Sequence, residues 1–156
     1  MRTSSTIGVA LCSVLLSACA TSAPQTTMSA DEAIAARQER MKAHGAAMRS
    51  INDKLKSGQV QAVATDAEKL VDSAKQLPGL FGTPSANPQT SRAKPEIWQR
   101  KAEFDGYAKT LETKATQLAA TARTGDAKAT QATVADIGRT TCTACHDAFR
   151  GPEIKR

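Results

Sequence analysis

The sequence predicts an all-α protein, an antiparallel four-helix bundle. Aromatic side chains are confined to Phe81, Trp98, Phe104, Tyr107 and Phe149, and alanine supplies much of the 40% hydrophobic content of the 156 residues. A chain rich in Ala, Lys, Gln, Glu and Leu favours helix residue by residue, whereas the β-branched and aromatic clusters that mark strands are missing. Apolar residues also recur at seven-residue spacing in successive segments, punctuated by a capping box, glycines and prolines. At this length one core, and one domain, is expected.

The first helix opens at "SADE", Ser29 to Glu32, a capping box in which the serine hydroxyl and the glutamate satisfy each other's free backbone amides. Ile34, Met41, Met48 and Leu55, with Ile51, line one face until Ser57-Gly58 stops the helix. Val63, Leu70 and Leu77, with Val60, Ala67 and Ala74 alongside, give a second helix ending at "LPG". Pro78 to Lys94 carries prolines, glycines and a polar run without apolar periodicity, so it reads as the one long loop. Pro95 suits the first turn of a third helix, whose core face is Ile97, Phe104, Leu111 and Leu118. Gly125 ends it, and Asp126 caps a fourth in which Val134, Gly138, Cys142, Cys145 and Phe149 share a face. Short turns after helices one and three make antiparallel neighbours, and the long loop joins the two hairpins. The many alanines let helices approach closely but leave little bulk at the centre, which points to something else filling it.

The N-terminus reads as a targeting segment. Arg2, an apolar stretch from Ile7 to Leu16 too short to span a bilayer, and "LSAC" at Leu16 to Cys19 make a secretory signal. It resembles the bacterial lipoprotein signal, which is cut before the cysteine of such a box. The resemblance implies a signal peptide over residues 1–18, lipidation of Cys19, a tether over 19–28 and a domain over 29–156. It also implies a periplasmic location with an anchor in the outer membrane, since Ala20 rather than Asp follows the cysteine. An ordinary signal peptide is the alternative. Cys142 and Cys145 are then the only free thiols, in an oxidising compartment.

The net charge of +6 is spread along the chain without basic runs. That argues against a nucleic-acid groove and leaves solubility or an acidic protein partner as its roles. No acid/base constellation supports an enzyme.

"CTACH" at Cys142 to His146 is the segment that carries chemistry. Thiols at i and i+3 and an imidazole at i+4 leave one side of a helix. C-x-x-C-H is the attachment signal of c-type haem, each thiol bonding to the porphyrin and the histidine binding iron. Three other readings stand beside it. A thioredoxin-like pair expects a βαβ setting that this chain lacks. Structural zinc needs a fourth ligand, for which His44 would have to converge on Cys142, Cys145 and His146. A disulfide between thiols three apart on a helix has poor geometry.

A haem motif in the last helix of a four-helix bundle resembles cytochrome c′ and its low-spin class II relatives. The resemblance covers nearly the whole mature chain: "RQERMK" at Arg37 to Lys42 is similar to the family's first helix, and "KPEIW" at Lys94 to Trp98 with Phe104 to its third. "GD" at Gly125-Asp126 and "CTACHDAFR" complete it. It implies one covalent haem c held by Cys142 and Cys145, with His146 as proximal ligand and Arg150 beside it. Arg37 and Gln38 match positions near the haem propionates, although a solvated helix face is the plainer reading of both. Met41 falls where the distal residue projects over the iron. A bound thioether gives a six-coordinate iron suited to electron transfer with a redox partner protein, and this His146/Met41 ligation is the expectation taken from the sequence. A Met41 that merely covers the iron leaves it five-coordinate, which the resemblance associates with nitric oxide and other small gases. His44, one turn after Met41, could compete as a distal ligand, but a partly exposed histidine near the haem edge is the expectation. Family members are often dimers through the first two helices, so a homodimer is a further expectation.

Overall fold

The computed structural model describes residues 28–154, in which helices α1 (Ala30–Lys56), α2 (Val63–Leu80), α3 (Glu96–Gln99), α4 (Lys101–Arg123), α5 (Ala127–Asp136) and α6 (Ala144–Phe149) follow in chain order. A π-helical segment, Ile137–Thr143, joins α5 to α6 into one rod. The fold is a four-helix bundle of α1, α2, α3–α4 and the α5–α6 rod. Cys19, the signal segment and most of the tether lie outside the described residues. Among the described residues no helix is long and apolar enough to cross a membrane.

The helix ends follow from their residues. Ser29 accepts from the Glu32 amide while Glu32 takes the Ser29 amide, so the capping box forms on both sides. Gly58 and Gly125, after the ends of α1 and α4, hold φ of 74° and 79°, a left-handed turn that costs a glycine little. The Asp126 carboxylate accepts from the Ala129 amide at 2.9 Å and starts α5.

Helix α2 packs on α4 at the centre, α1 lies on α2, and the α5–α6 rod lies on α4. The rod and α1 touch only marginally. The interior joins Ile51, Val63, Leu70, Leu77, Leu111, Leu118 and Ile137 through buried alanines at 47, 64, 67, 74, 108, 115, 119 and 122. These small side chains bring α2 and α4 together.

In three places the chain departs from its own periodicity. Helix α2 continues through Pro78 to Leu80 instead of stopping at the proline. A proline in a last turn gives up one amide bond, and the Phe81 amide restores closure on the Pro78 carbonyl at 3.2 Å. The third helix is broken at Arg100, whose φ of −118° and ψ of 43° end α3 and start α4. Arg100 there pairs with both oxygens of Glu103 and lies 5.2 Å from the Phe149 ring centre. In the last rod the buried residues are Thr130, Val134, Ile137, Thr141 and Phe149, so Gly138 and Cys142 are not on the core stripe as their spacing suggests. The π segment accounts for the slip: its wider turn rotates the following residues relative to an α-helix. The Thr140 hydroxyl caps the Asp136 carbonyl at 2.9 Å within it.

Candidate functional site

The C-x-x-C-H residues emerge from the wide turn. Cys142 closes on the end of the π segment, whereas Cys145 and His146 lie in α6. All three side chains are half-buried. Helix α6 is tied down at its far end by the loop before α3. The Lys94 amide donates to the Phe149 carbonyl at 3.1 Å, and its ammonium to the Asp147 and Ala148 carbonyls. Ala93 and Arg150 form an antiparallel bridge, and the Arg92 guanidinium donates to the Gly151 carbonyl. Basic groups at a helix C-terminus oppose its dipole, so this clasp holds the His146 turn in place.

The electrostatics distinguish among the readings of the motif. Burial pushes the Cys142 thiol up, and burial together with Cys142 takes Cys145 to about 11. A redox-active pair requires the opposite, a depressed thiol beside positive charge. Both cysteines are free, which sets aside the disulfide. Among the described residues no group of three or more His, Cys, Asp and Glu side chains is arranged to hold a metal ion. Instead of converging on the thiols as the zinc reading requires, His44 bonds Ser73. His146 is held below the usual histidine range by burial, then by Arg150 and Arg92, with Asp147 opposing. A neutral imidazole is the form that binds a metal.

On the first helix Met41, His44 and Met48 are all half-buried. Met41 and Met48 are half-buried and pack on the core, as do Cys142, Cys145 and Ala148 from the rod. Arg37 is buried, with 4% of its surface exposed, and is not part of a solvated face. Its Nε donates to the Leu80 carbonyl at 2.7 Å; its terminal nitrogens reach the Thr83 and Ser85 carbonyls and the Ser85 hydroxyl. The guanidinium also lies 4.4 Å from the Phe81 ring centre and 5.3 Å from that of Trp98, whose indole N–H donates to the Phe81 carbonyl. Gln38 is exposed and donates to the Thr90 carbonyl at 2.6 Å. Arg150 is exposed beside His146.

These features fit a flat, anionic, iron-bearing group between α1 and the rod. The rod offers two thiols and an imidazole within five residues, α1 carries half-buried thioethers, and the two elements scarcely pack on each other. Neither Arg37 nor Arg40 forms an ion pair among the described residues, and Arg40 Nε is buried without a partner. Arg37 is satisfied by carbonyls and the Ser85 hydroxyl, whereas Arg40, which donates to Gln76 through one terminal nitrogen, keeps a buried Nε that an anion could take.

A family model described as "Cytochrome C'" matches residues 32–150. The chain belongs to the cytochrome c′ family. Cytochromes c′ carry one covalent c-type haem, and the C-x-x-C-H motif of this chain runs from Cys142 to His146. A curated cytochrome c′ from Rhodopseudomonas palustris is 37% identical over 83 residues, which span 52% of this chain and 53% of that protein. The match thus covers about half the length of that relative. The crystal structure of cytochrome c′ from Thermochromatium tepidum superposes with a TM-score of 0.68 at 31% identity, over 80% of this chain and 98% of the other. The nitric oxide complex of a leucine-to-isoleucine variant of cytochrome c′ from Alcaligenes xylosoxidans gives a TM-score of 0.68 at 25% identity, over 79% and 97%.

Away from the motif, a cavity of about 570 Å³ between α1 and α2 is lined by Arg40, His44, Ser50, Asp66, Lys69 and Ser73 among others. Asp66 is 2% exposed. It accepts from Ser50 at 2.5 Å, Lys54 at 2.7 Å and Lys69 at 2.9 Å. Burial alone would raise its carboxyl, but the hydrogen bonds from Lys54, Ser50 and Lys69 prevail and lower it to about 2. His44 Nε2 lies 2.6 Å from Ser73 Oγ. Burial, then Arg40 and His146, lower His44 to about 4. Neither Asp66 nor Ser73 stands out in the apolar pattern. The signal for both was their spacing of seven on α2, polar residues at a core period.

The two groups make stability fall with acid in two steps. Unfolded His44 titrates near 6.5, so its contribution is complete above that value and declines as the pH falls to about 4. That of Asp66 is complete above 3.8 and is lost as the pH falls through about 2, amounting to about 2 kcal/mol. Denaturant unfolding at a series of pH values should show both limbs, and Asp66→Asn should abolish the lower one. A single step below pH 4 in the parent protein contradicts the assignment of His44.

Proposed function

We propose that this protein binds nitric oxide or a similar small gas at a five-coordinate haem c. Three further expectations go with it: no enzymatic turnover, a location in the periplasm with a lipid anchor at Cys19, and self-association through the first two helices. The observation that carries the gas-binding reading is the attachment motif set opposite α1 in a chain of this family. The nitric oxide complex of the Alcaligenes xylosoxidans relative supports it over the His146/Met41 ligation expected from the sequence. Bound haem would supply an iron able to take a diatomic ligand. Cys142 and Cys145 would hold the group to the rod, and His146 would offer a neutral imidazole. Arg40, whose buried Nε has no partner, would be available to an anionic substituent of the group. Met41, half-buried on α1, would limit access to the iron.

The second reading is electron transfer with a partner protein through a six-coordinate His146/Met41 site. It is favoured by Met41 itself, a half-buried thioether packed on the core from the helix opposite the motif. The optical spectrum of the reduced protein separates the two. Broad high-spin bands that shift under carbon monoxide are expected, and Met41→Ala should leave them high-spin. Sharp low-spin bands, indifferent to carbon monoxide and turned high-spin by Met41→Ala, would instead establish the second reading.

A further inference from the structure

We infer that Lys114 is a positioning residue for the C-x-x-C-H motif: its ammonium fastens the π segment that carries Cys142, and so sets how the haem of this family is held and shaped. The inference rests on attachment of that haem through Cys142 and Cys145.

The motif straddles a change of helix. Cys142 is the penultimate residue of the π segment, while Cys145 and His146 stand in α6. In a plain α-helix all three side chains leave one side of the rod. A wider turn at one end of the motif rotates Cys142 relative to the other two. Such a turn has a local cost. Thr130, Thr133 and Thr140 each return a hydroxyl to the carbonyl four residues back, but the hydroxyl of Thr141, a residue 3% exposed, finds no partner. A buried hydroxyl left unpaired is destabilising, so a contact from outside the segment has to offset it.

Lys114 is placed to supply that contact. Leu111, Ala115 and Leu118 bury one face of α4 in the core and fix its backbone. From this anchored helix the Lys114 ammonium donates to Asp136 Oδ2 and to Thr140 Oγ1, each at 2.5 Å. Asp136 immediately precedes the π segment and Thr140 lies within it, so one cation spans the opening turn. The Thr140 hydroxyl in turn donates to the Asp136 carbonyl. Among the described residues this is the one ion pair between the rod and another helix. A partly exposed pair contributes little to global stability. Its effect is local, on whether the turn before Cys142 stays wide. Three bonds from the motif to one flat ring pass that choice on, and distortion of the macrocycle is a lever by which a protein tunes its haem.

The experiment uses the full holoprotein, made in a bacterium that attaches haem c, with the variants Lys114→Met and Thr140→Val. Arg123→Met is the control, because it removes the ion pair that the last residue of α4 makes with Glu68. Out-of-plane bands of the haem are read by resonance Raman spectroscopy, and amide hydrogen exchange over Ile137–Thr143 by mass spectrometry. Both variants should shift the out-of-plane bands and speed exchange across the segment roughly two- to fivefold, the opening expected when one such pair is lost. Arg123→Met should leave both readouts unchanged. Thr140→Val alters no charge, so a shift confined to Lys114→Met reports the missing charge alone and overturns the inference. Unchanged bands in both variants overturn it as well, as does an equal shift in Arg123→Met, the mark of general loosening. Absence of covalent haem from the parent protein removes the attachment reading, and this inference with it.

Discussion

Replacement of both Cys142 and Cys145 by serine is expected to give a chain whose intact mass is that of the polypeptide alone, with haem lost on denaturation. The parent protein, produced in a bacterium that attaches haem c, should carry the mass of one haem through the same treatment. Each single replacement should keep one thioether bond and retain haem less completely. The size of the effect follows from the chemistry of the site. Both thiols are half-buried and protonated, and neither is engaged in a disulfide. Haem retained covalently by the double variant would mean that the motif is not the point of attachment. The fold itself should survive, since Ile137, Thr141 and Phe149, rather than the cysteines, anchor the rod in the core.

Arg37→Ala is expected to lower the unfolding free energy by about 3–5 kcal/mol, the range typical of removing one partner from a buried charged network. Truncation leaves the Leu80 and Ser85 carbonyls without their side-chain donor, removes one of two donors from the Thr83 carbonyl, and uncovers the faces of Phe81 and Trp98. Arg37→Lys should recover only part of the loss. An ammonium has neither the planar fork that reaches acceptors on both sides of the turn nor the flat surface that lies against the rings. Equilibrium denaturation in urea measures both variants. A loss under about 1 kcal/mol would show Arg37 to be the solvated residue that its place in "RQERMK" also allowed.

The contrast between Arg37 and Asp126 shows where a sequence is informative. Asp126 acts within three residues, on the Ala129 amide, and a cap of that kind is legible because donor and acceptor are neighbours in the chain. Arg37 acts across more than forty positions, on a loop whose path depends on where α2 stops. Helix α2 stops late because Pro78 stands in its final turn, not its middle. The same holds for the rod. A seven-residue count places Gly138 and Cys142 fully inward, but with the π segment Ile137 and Thr141 take the buried positions and Cys142 is left half-buried at the edge of the core. Nothing in "IGRTTCT" by itself announces a wider turn.

The amino-acid sequence was sufficient for the helical class, the capped starts of α1 and α5, the glycine stops and the family to which the chain belongs. All of these depend on side-chain type and on spacing within a turn or two. Only the tertiary structure decided that Arg37 is buried against Phe81 and Trp98, that His44 pairs with Ser73, and that Asp66 gathers Lys54, Lys69 and Ser50. Apart from the Asp66–Lys69 pair, three residues apart on α2, each of those contacts joins segments distant along the chain, and the packing of one helix on another, which no local preference encodes, determines which groups are taken out of water together.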